Sequence, residues 1–389
     1  MERTPAAELI AQEIGRRGPI DFSRFLELAL YHPQYGYYSR QKPQRGRAGD
    51  YFTSLQVSPL FARIAAETIR LMRQTLESSY FTLIEVGGGD GELLEGILEE
   101  LYRRESPKGL RVMAVERSRS ARDRIWRRLS RFPKCQVVPS LEEADWSGAS
   151  EGCVISNEFF DALPFHRLRF QEEGWREISV GAQGGVLREL EQPLSDPSLV
   201  ERAGLAGAQF PFGHELEIRE GIPELYVEWG RWLSRGYVLT FDYGYPRAQL
   251  YSPARGQGTW LCYGRHQANQ DPYQRVGEQD ITAHVDFSQL AEAGQKTGFD
   301  PILHCSQGVF LTHTGRDIIE GYLAEEVDPV ERGRRRGAVQ QLVHPQAMGN
   351  AFSALLQAKS VDLPSGLAGI PNRIPRLSEP LIESIPGII

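Results

Sequence analysis

The chain has little of what builds disulfide frameworks or zinc sites. Its four cysteines, Cys135, Cys153, Cys262 and Cys305, stand far apart and form no C-x-x-C pair. Such spacing reads as reduced structural thiols in a reducing compartment. Long apolar runs are missing too: none approaches the ~20 residues of a membrane-spanning helix, so no membrane span is expected. Positive charge is not in excess. Lys and Arg number 44 against 51 Asp and Glu, a formal net charge of -7, which implies no general affinity for nucleic acid. The start, Met1-Glu-Arg-Thr-Pro5, carries no apolar signal-peptide core, and Glu2, Glu8 and Glu13 are unlike an acid-poor transit peptide. A cytoplasmic location is the expectation. Hydrophobic residues at 41% and charged residues at 24% are ordinary for a globular enzyme.

What is present is concentrated in one stretch, Phe81-Thr-Leu-Ile-Glu-Val-Gly-Gly-Gly-Asp-Gly-Glu92. Phe81 to Val86 reads as a buried strand. Gly87, Gly88, Gly89 and Gly91 make a turn, and Leu93, Leu94, Ile97, Leu98 and Leu101 recur at helical spacing behind it. Strand, glycine turn and helix form the ligand-binding corner of a doubly wound α/β sheet, where free N–H groups meet a backbone that can be approached closely. A dinucleotide site would hold a negative pyrophosphate, which Glu85, Asp90 and Glu92 oppose. The spacing Glu85-x-Gly87-x-Gly89-x-Gly91 resembles instead the first motif of class I S-adenosylmethionine-dependent methyltransferases. That cofactor carries a sulfonium and an ammonium and tolerates carboxylates. A second apolar run, Leu110 to Val115, ends in Glu116, placed to accept hydrogen bonds from both ribose hydroxyls.

Around this corner the chain alternates strand and helix. Strands are expected near 81–86, 110–116, 134–138, 152–156 and 236–242. A terminal hairpin is expected from Phe299 to Cys305 and Val309 to His313. Two helices over residues 5 to 30 and one from Ser58 to Leu76 precede the corner. The fold class is therefore α/β: a seven-stranded, mostly parallel Rossmann-like sheet with a terminal β-hairpin and helical additions at both ends. The expected division is a helical N-terminal cap (1–78), a methyltransferase domain (79–315) with insertions at 165–215 and 244–285, and a helical C-terminal segment with its tail (316–389).

Longer stretches carry a closer resemblance. Tyr31-His-Pro-Gln-Tyr-Gly-Tyr-Tyr38, Gly49-Asp-Tyr-Phe-Thr-Ser54, Asn157-Glu-Phe-Phe-Asp-Ala-Leu-Pro164, Asp242-Tyr-Gly244 and Gly277-Glu-Gln-Asp-Ile-Thr-Ala-His-Val-Asp-Phe287 resemble the MidA-type family of class I methyltransferases. Its mitochondrial members are complex I assembly factors that methylate arginine. The resemblance implies S-adenosyl-L-methionine as cofactor and an acceptor protein, with a respiratory-complex subunit, a homodimer and a bacterial cytoplasmic setting among the expectations. The glycine turn departs from the family's usual Gly-Pro-Gly-Arg-Gly, with Asp90 where a basic residue is frequent.

The expected cofactor-binding residues are Thr53, Ser54, Glu85, Gly87, Gly89, Gly91, Glu116 and Asn157, and the expected catalytic residues are Asn157, Glu158 and Asp161. Glu158 and Asp161 supply carboxylates that could align a guanidinium and take up its proton, with Phe159 or Phe160 as an apolar wall. Other readings stand beside these. Thr53 and Ser54 also suit a turn, Asp161 a helix cap, and Asp242 the turn after a buried strand. His284 and Asp286 suit a general base or metal, but equally a capped helix entry. Methylation of another acceptor, and a scaffold that binds cofactor without turnover, remain as alternatives.

Overall fold

The computed structural model describes residues 4–39, 58–104, 107–146, 150–265 and 267–379. Thr53 and Ser54 lie outside the described residues. The central sheet is built on β1 (Phe81–Val86), buried along its whole length. Around it stand β2 (Leu110–Val115), β3 (Cys135–Val138), β4 (Ser150–Asn157), β5 (Leu233–Tyr245), β6 (Asp300–Ser306) and β7 (Phe352–Lys359). Their spatial order is β6-β7-β5-β4-β1-β2-β3, with Val285–Asp286 as an eighth, short strand beside the end of β5. Pairing is parallel from β3 across to β5. β7 runs antiparallel to both of its neighbours. The chain builds outward from β1 in one direction and from β4 in the other. A crevice therefore opens at the carboxyl ends between β1 and β4, where such sheets take ligands. Helices Leu60–Leu76 and Glu92–Arg104 lay apolar stripes on one face. Helices Ile222–Trp232 and Phe287–Gln295 cover the other.

The terminal hairpin is not formed. β6 is present, but Val309 to His313 lies in the helix Gln307–Thr314. A short apolar run such as Val309-Phe310-Leu311 does not distinguish strand from helix by periodicity. The partner of β6 is β7, with Leu303 opposite Leu356. The helices Gln307–Thr314, Arg316–Ala324 and Pro329–Val343 and the short Met348–Ala351 fill the interval between them. Residues 352–359, placed by sequence in a helical C-terminal segment, thus form an interior strand of the central sheet, which reaches beyond residue 315.

The insertions fold with the N-terminal helices Pro5–Arg17 and Phe22–Tyr31. Asp21 caps the second of these, accepting from the Arg24 N–H at 2.7 Å. Strands His166–Gln171, Gly174–Gln183, Val186–Gln192 and Glu215–Ile218 form a second sheet, and Ile20–Asp21 joins its edge through Ser179 and Val180. A three-stranded sheet, Leu261–Gly264, Gln267–Asn269 and Asp280–Thr282, occupies the later insertion. Phe22, Phe25, Phe165, Trp260 and Cys262 share one apolar cluster, so cap and insertions pack as a unit. Among the described residues no helix is long and apolar enough to cross a membrane.

β7 is tied to the helices behind it by Gln357, which is fully buried. Its Nε2 donates to the carbonyls of Leu290 (3.3 Å) and Phe299 (3.2 Å), while its Oε1 accepts from the Tyr226 hydroxyl. Tyr226→Phe would leave that buried oxygen without a donor. The expected loss is about 1–3 kcal/mol, read as a lower urea midpoint with an unchanged slope. An unaltered midpoint would mean that the hydroxyl bond contributes nothing net.

Candidate active site

The glycine turn joins β1 to the helix Glu92–Arg104. Gly87 has φ +68°, and a Cβ on it would lie 2.4 Å from the Phe159 ring. Conformation and close approach therefore both demand glycine there. Glu116 reaches across from the end of β2. Its Oε2 accepts from the Gly89 N–H at 3.2 Å and its Oε1 from the Ser118 N–H at 2.8 Å. A carboxylate offers about four lone-pair positions, so capacity remains for hydroxyl donors. Asp90 is paired with Arg124 at 2.6 Å. The unusual acid in the turn is thus balanced by the next helix.

A cavity of about 300 Å³ opens beside this turn. Gly87, Gly89, Glu116 and Glu158 lie on its wall, whereas Glu85, Gly91, Asn157 and Asp161 do not. Sequence reasoning missed Tyr31, Tyr38, Ser140, Leu141 and Trp229, which also line it. Ser140 and Leu141 follow β3, so the alternation of strand and helix could have found them. The tyrosines arrive from the N-terminal cap: Tyr31 donates to the Ala162 carbonyl at 2.8 Å and Tyr38 to Asp280 at 2.5 Å. An apolar cavity with a glycine cradle and an acid at the second strand end fits S-adenosylmethionine; Glu116 would hold the ribose and the glycine turn would receive the methionyl part.

At the other end of the cavity, β4 runs into the turn Asn157-Glu-Phe-Phe-Asp161, whose acids are buried. Glu158 adopts φ +52°, an uncommon conformation for a residue with a side chain and one that clusters at functional sites. Its N–H donates to the Phe241 carbonyl at 3.0 Å. The Asn157 amide donates to Glu158 Oε1 at 3.1 Å, which orients the carboxylate. Asp242 holds the turn from below. Its Oδ2 accepts from the N–H groups of Phe159 (3.2 Å), Phe160 (2.8 Å) and Asp161 (3.4 Å), and its Oδ1 accepts from Tyr243 at 2.9 Å. Asp242 is therefore a turn clamp. Asp161 caps no helix, since the chain continues into the strand His166–Gln171. Asp161 Oδ1 has no hydrogen-bond partner among the described residues.

Burial raises the Asp161 carboxyl well above the ordinary range, and the charges of Asp242, Glu158 and Asp280 push it further. Burial likewise raises Asp242 to about 7, against the hydrogen bond from Phe160 and the charge of Arg219. Arg219, itself buried, was not found from the sequence. It follows Glu215–Ile218, whose alternation of polar and apolar residues could have announced a strand. It donates to the carbonyls of Asp161 (2.9 Å), Ala283 (2.5 Å) and His284 (2.7 Å), joining the β4 turn to the later insertion. His284 and Asp286 take the structural alternative. Asp286 caps the helix Phe287–Gln295 through Ser288 at 2.9 Å and pairs with Arg247 at 2.9 Å. Burial lowers His284 to about 4, so its imidazole is neutral.

Two predictions follow from this geometry. Raising the carboxyl of Asp242 from 3.8 to about 7 means that its contribution to stability is full below about pH 4 and lost as pH rises towards 7. The stability of the wild type relative to Asp242→Asn should therefore shrink over that window in urea titrations. A constant difference would place the titration elsewhere. Glu116→Ala should weaken binding of S-adenosylhomocysteine by roughly tenfold or more, since hydrogen bonds to a charged acceptor are worth about 1.5–3 kcal/mol each. An unchanged dissociation constant by calorimetry would show the ribose to be held elsewhere.

Comparison with known proteins agrees with this geometry. A family model for S-adenosyl-L-methionine-dependent methyltransferases matches residues 60–304. The protein arginine methyltransferase NDUFAF7 homolog, mitochondrial, of Drosophila melanogaster is 25% identical over 90% of this chain and 84% of its own length. The human protein arginine methyltransferase NDUFAF7, mitochondrial, is 24% identical over 90% of this chain and 82% of its own. A crystal structure of a Burkholderia thailandensis protein bound to S-adenosyl-homocysteine superposes with a TM-score of 0.82 at 29% identity, covering 95% of both chains. The chain belongs to the MidA-type family of S-adenosyl-L-methionine-dependent methyltransferases.

Proposed function

We propose that the acceptor is an arginine side chain of a partner protein. The observation that carries this reading is Glu158: a buried carboxylate in a left-handed conformation, oriented by Asn157, on the wall of the cofactor cavity. Beside it in the same turn lies Asp161, whose Oδ1 has no partner among the described residues. A guanidinium stays charged at any ordinary pH and presents planar N–H donors, the complement of such carboxylates. Relatives named protein arginine methyltransferases support the same acceptor. A respiratory-complex subunit is the first partner to test, following the family resemblance.

When bound, S-adenosylmethionine supplies a methyl group on a sulfonium. The protein's part is to align the acceptor, exclude water and manage one proton. Glu158 would hold the guanidinium in line. Phe159, packed edge-on against Phe160, walls the cavity. An incoming cation would favour the ionised form of Asp161, which burial otherwise opposes. The proton released as the new N–C bond forms would pass to Glu158 or Asp161.

Glu158→Gln preserves size and hydrogen bonding but removes the charge. Binding of S-adenosylhomocysteine should stay near normal. Transfer of labelled methyl into lysate protein, recovered as methylarginine, should fall by roughly two orders of magnitude, about 3 kcal/mol of transition-state stabilisation. Retained transfer would exclude Glu158 from acceptor handling. Binding without turnover by the wild type would favour a scaffold that holds the cofactor for stability.

A further inference from the structure

A second, smaller cleft lies on the same carboxyl-end edge of the sheet, beyond β5 and apart from the cofactor cavity. Its volume is about 170 Å³. The ends of β5 and β6 and the start of β7 form its floor through Tyr245, His304 and Ser353, and Arg373 and Arg376 close it from the C-terminal side. Among the described residues the lining contains no acidic side chain, in a chain where Asp and Glu outnumber Lys and Arg by 51 to 44.

His304 is 3% exposed, yet neither ring nitrogen has a hydrogen-bond partner among the described residues. A buried imidazole left in that state is costly. Burial lowers it to about 4 against the pull of the Arg373 main chain, and the charges of Arg373 and Arg376 act with burial. At neutral pH it therefore has one N–H to give. Arg373 is placed by the main chain. Its N–H donates to the His304 carbonyl at 2.7 Å, and the neighbouring Asn372 side chain accepts from the His304 N–H at 3.1 Å and donates to Ile302 at 2.9 Å. Arg376 follows in the short turn Ile374–Ser378. Neither guanidinium pairs with a carboxylate among the described residues, although both are exposed. Ser306, also on the lining, precedes the helix Gln307–Thr314, whose first N–H groups receive no side-chain cap.

We propose that this cleft binds an oxyanion, a carboxylate or phosphate-like group held between Arg373, Arg376 and the His304 ring. Guanidinium groups recognise such oxygens in bidentate fashion. The anion is either free or an acidic side chain of a protein docked along this edge. The site goes beyond the methyl-transfer reading and does not depend on it.

The test is calorimetry on the full chain with inorganic phosphate and with acetate, at constant ionic strength set by chloride. Saturable binding of at least one anion is expected. Arg373→Ala with Arg376→Ala, both surface changes, should weaken it roughly tenfold or more, while S-adenosylhomocysteine affinity stays unchanged. No saturable binding of either anion by the wild type, or equal affinity in the double variant, would overturn the proposal. A short oligoglutamate peptide then separates the sources. Displacement of phosphate by the peptide assigns the site to a protein-borne carboxylate, and failure to displace bound phosphate assigns it to a free anion.

Discussion

One carboxylate, that of Asp242, holds together the end of the cavity proposed to take the acceptor. It takes the N–H groups of Phe159, Phe160 and Asp161 on a single oxygen and so bends the chain sharply after β4. Without those bonds the left-handed Glu158 would have little to keep it there, because the unfavourable conformation persists only where its surroundings over-determine it. The clamp has a cost. It buries an acid near Glu158 and Asp161, and each raises the difficulty of ionising the other. Arg219 offsets part of that repulsion, while its two terminal nitrogens donate to backbone carbonyls. The turn is therefore held firmly in its backbone while its buried acids stay crowded in charge.

The two ends of the cavity are organised by different parts of the chain. The cofactor end is local, made by the turns after β1, β2 and β3. The acceptor end is assembled from afar. Tyr31 and Tyr38 come from the N-terminal cap, Asp280 and the carbonyls of Ala283 and His284 from the later insertion, and Arg219 from the earlier one. Cap and insertions share the cluster around Phe22, Phe165 and Trp260. The acceptor end is thus supported by a body of its own rather than by loops of the central sheet.

That division also governs how much could be read in advance. Strand, glycine turn and helix over 81–104 are specified by neighbours in sequence, and Glu116 by a strand of ordinary length, so both were legible. Asn157, Glu158 and the clamp at Asp242 follow from their places at strand ends. Arg219 was not legible, because the alternation of Glu215–Ile218 announces a strand but not the partners of the residue after it, which lie some 60 positions away. The hairpin failed for a related reason. β6 has a local apolar neighbour in Val309-Phe310-Leu311, but Gly308 packs against the Val343 carbonyl and the run closes into a helix. Its true partner lies beyond that helix and the helices that follow it, and no local pattern announces such a pairing.

The late arrival of β7 bears on how the molecule is made. β7 sits between β5 and β6, both of which precede it in the chain. During synthesis β4 and β5 can pair as soon as Leu233–Tyr245 has emerged, but the far edge of β5 stays open. β6 cannot complete the sheet by itself, since among the described residues its only neighbour in the sheet is β7. The last third of the sheet therefore waits until Lys359 has left the ribosome, and an open strand edge persists through that interval. Long-range closure of this kind slows folding because loop entropy is lost before the contacts form. The helices between β6 and β7 fill that wait: they can form locally and shield the apolar face beside Phe310 before the final strand slides in.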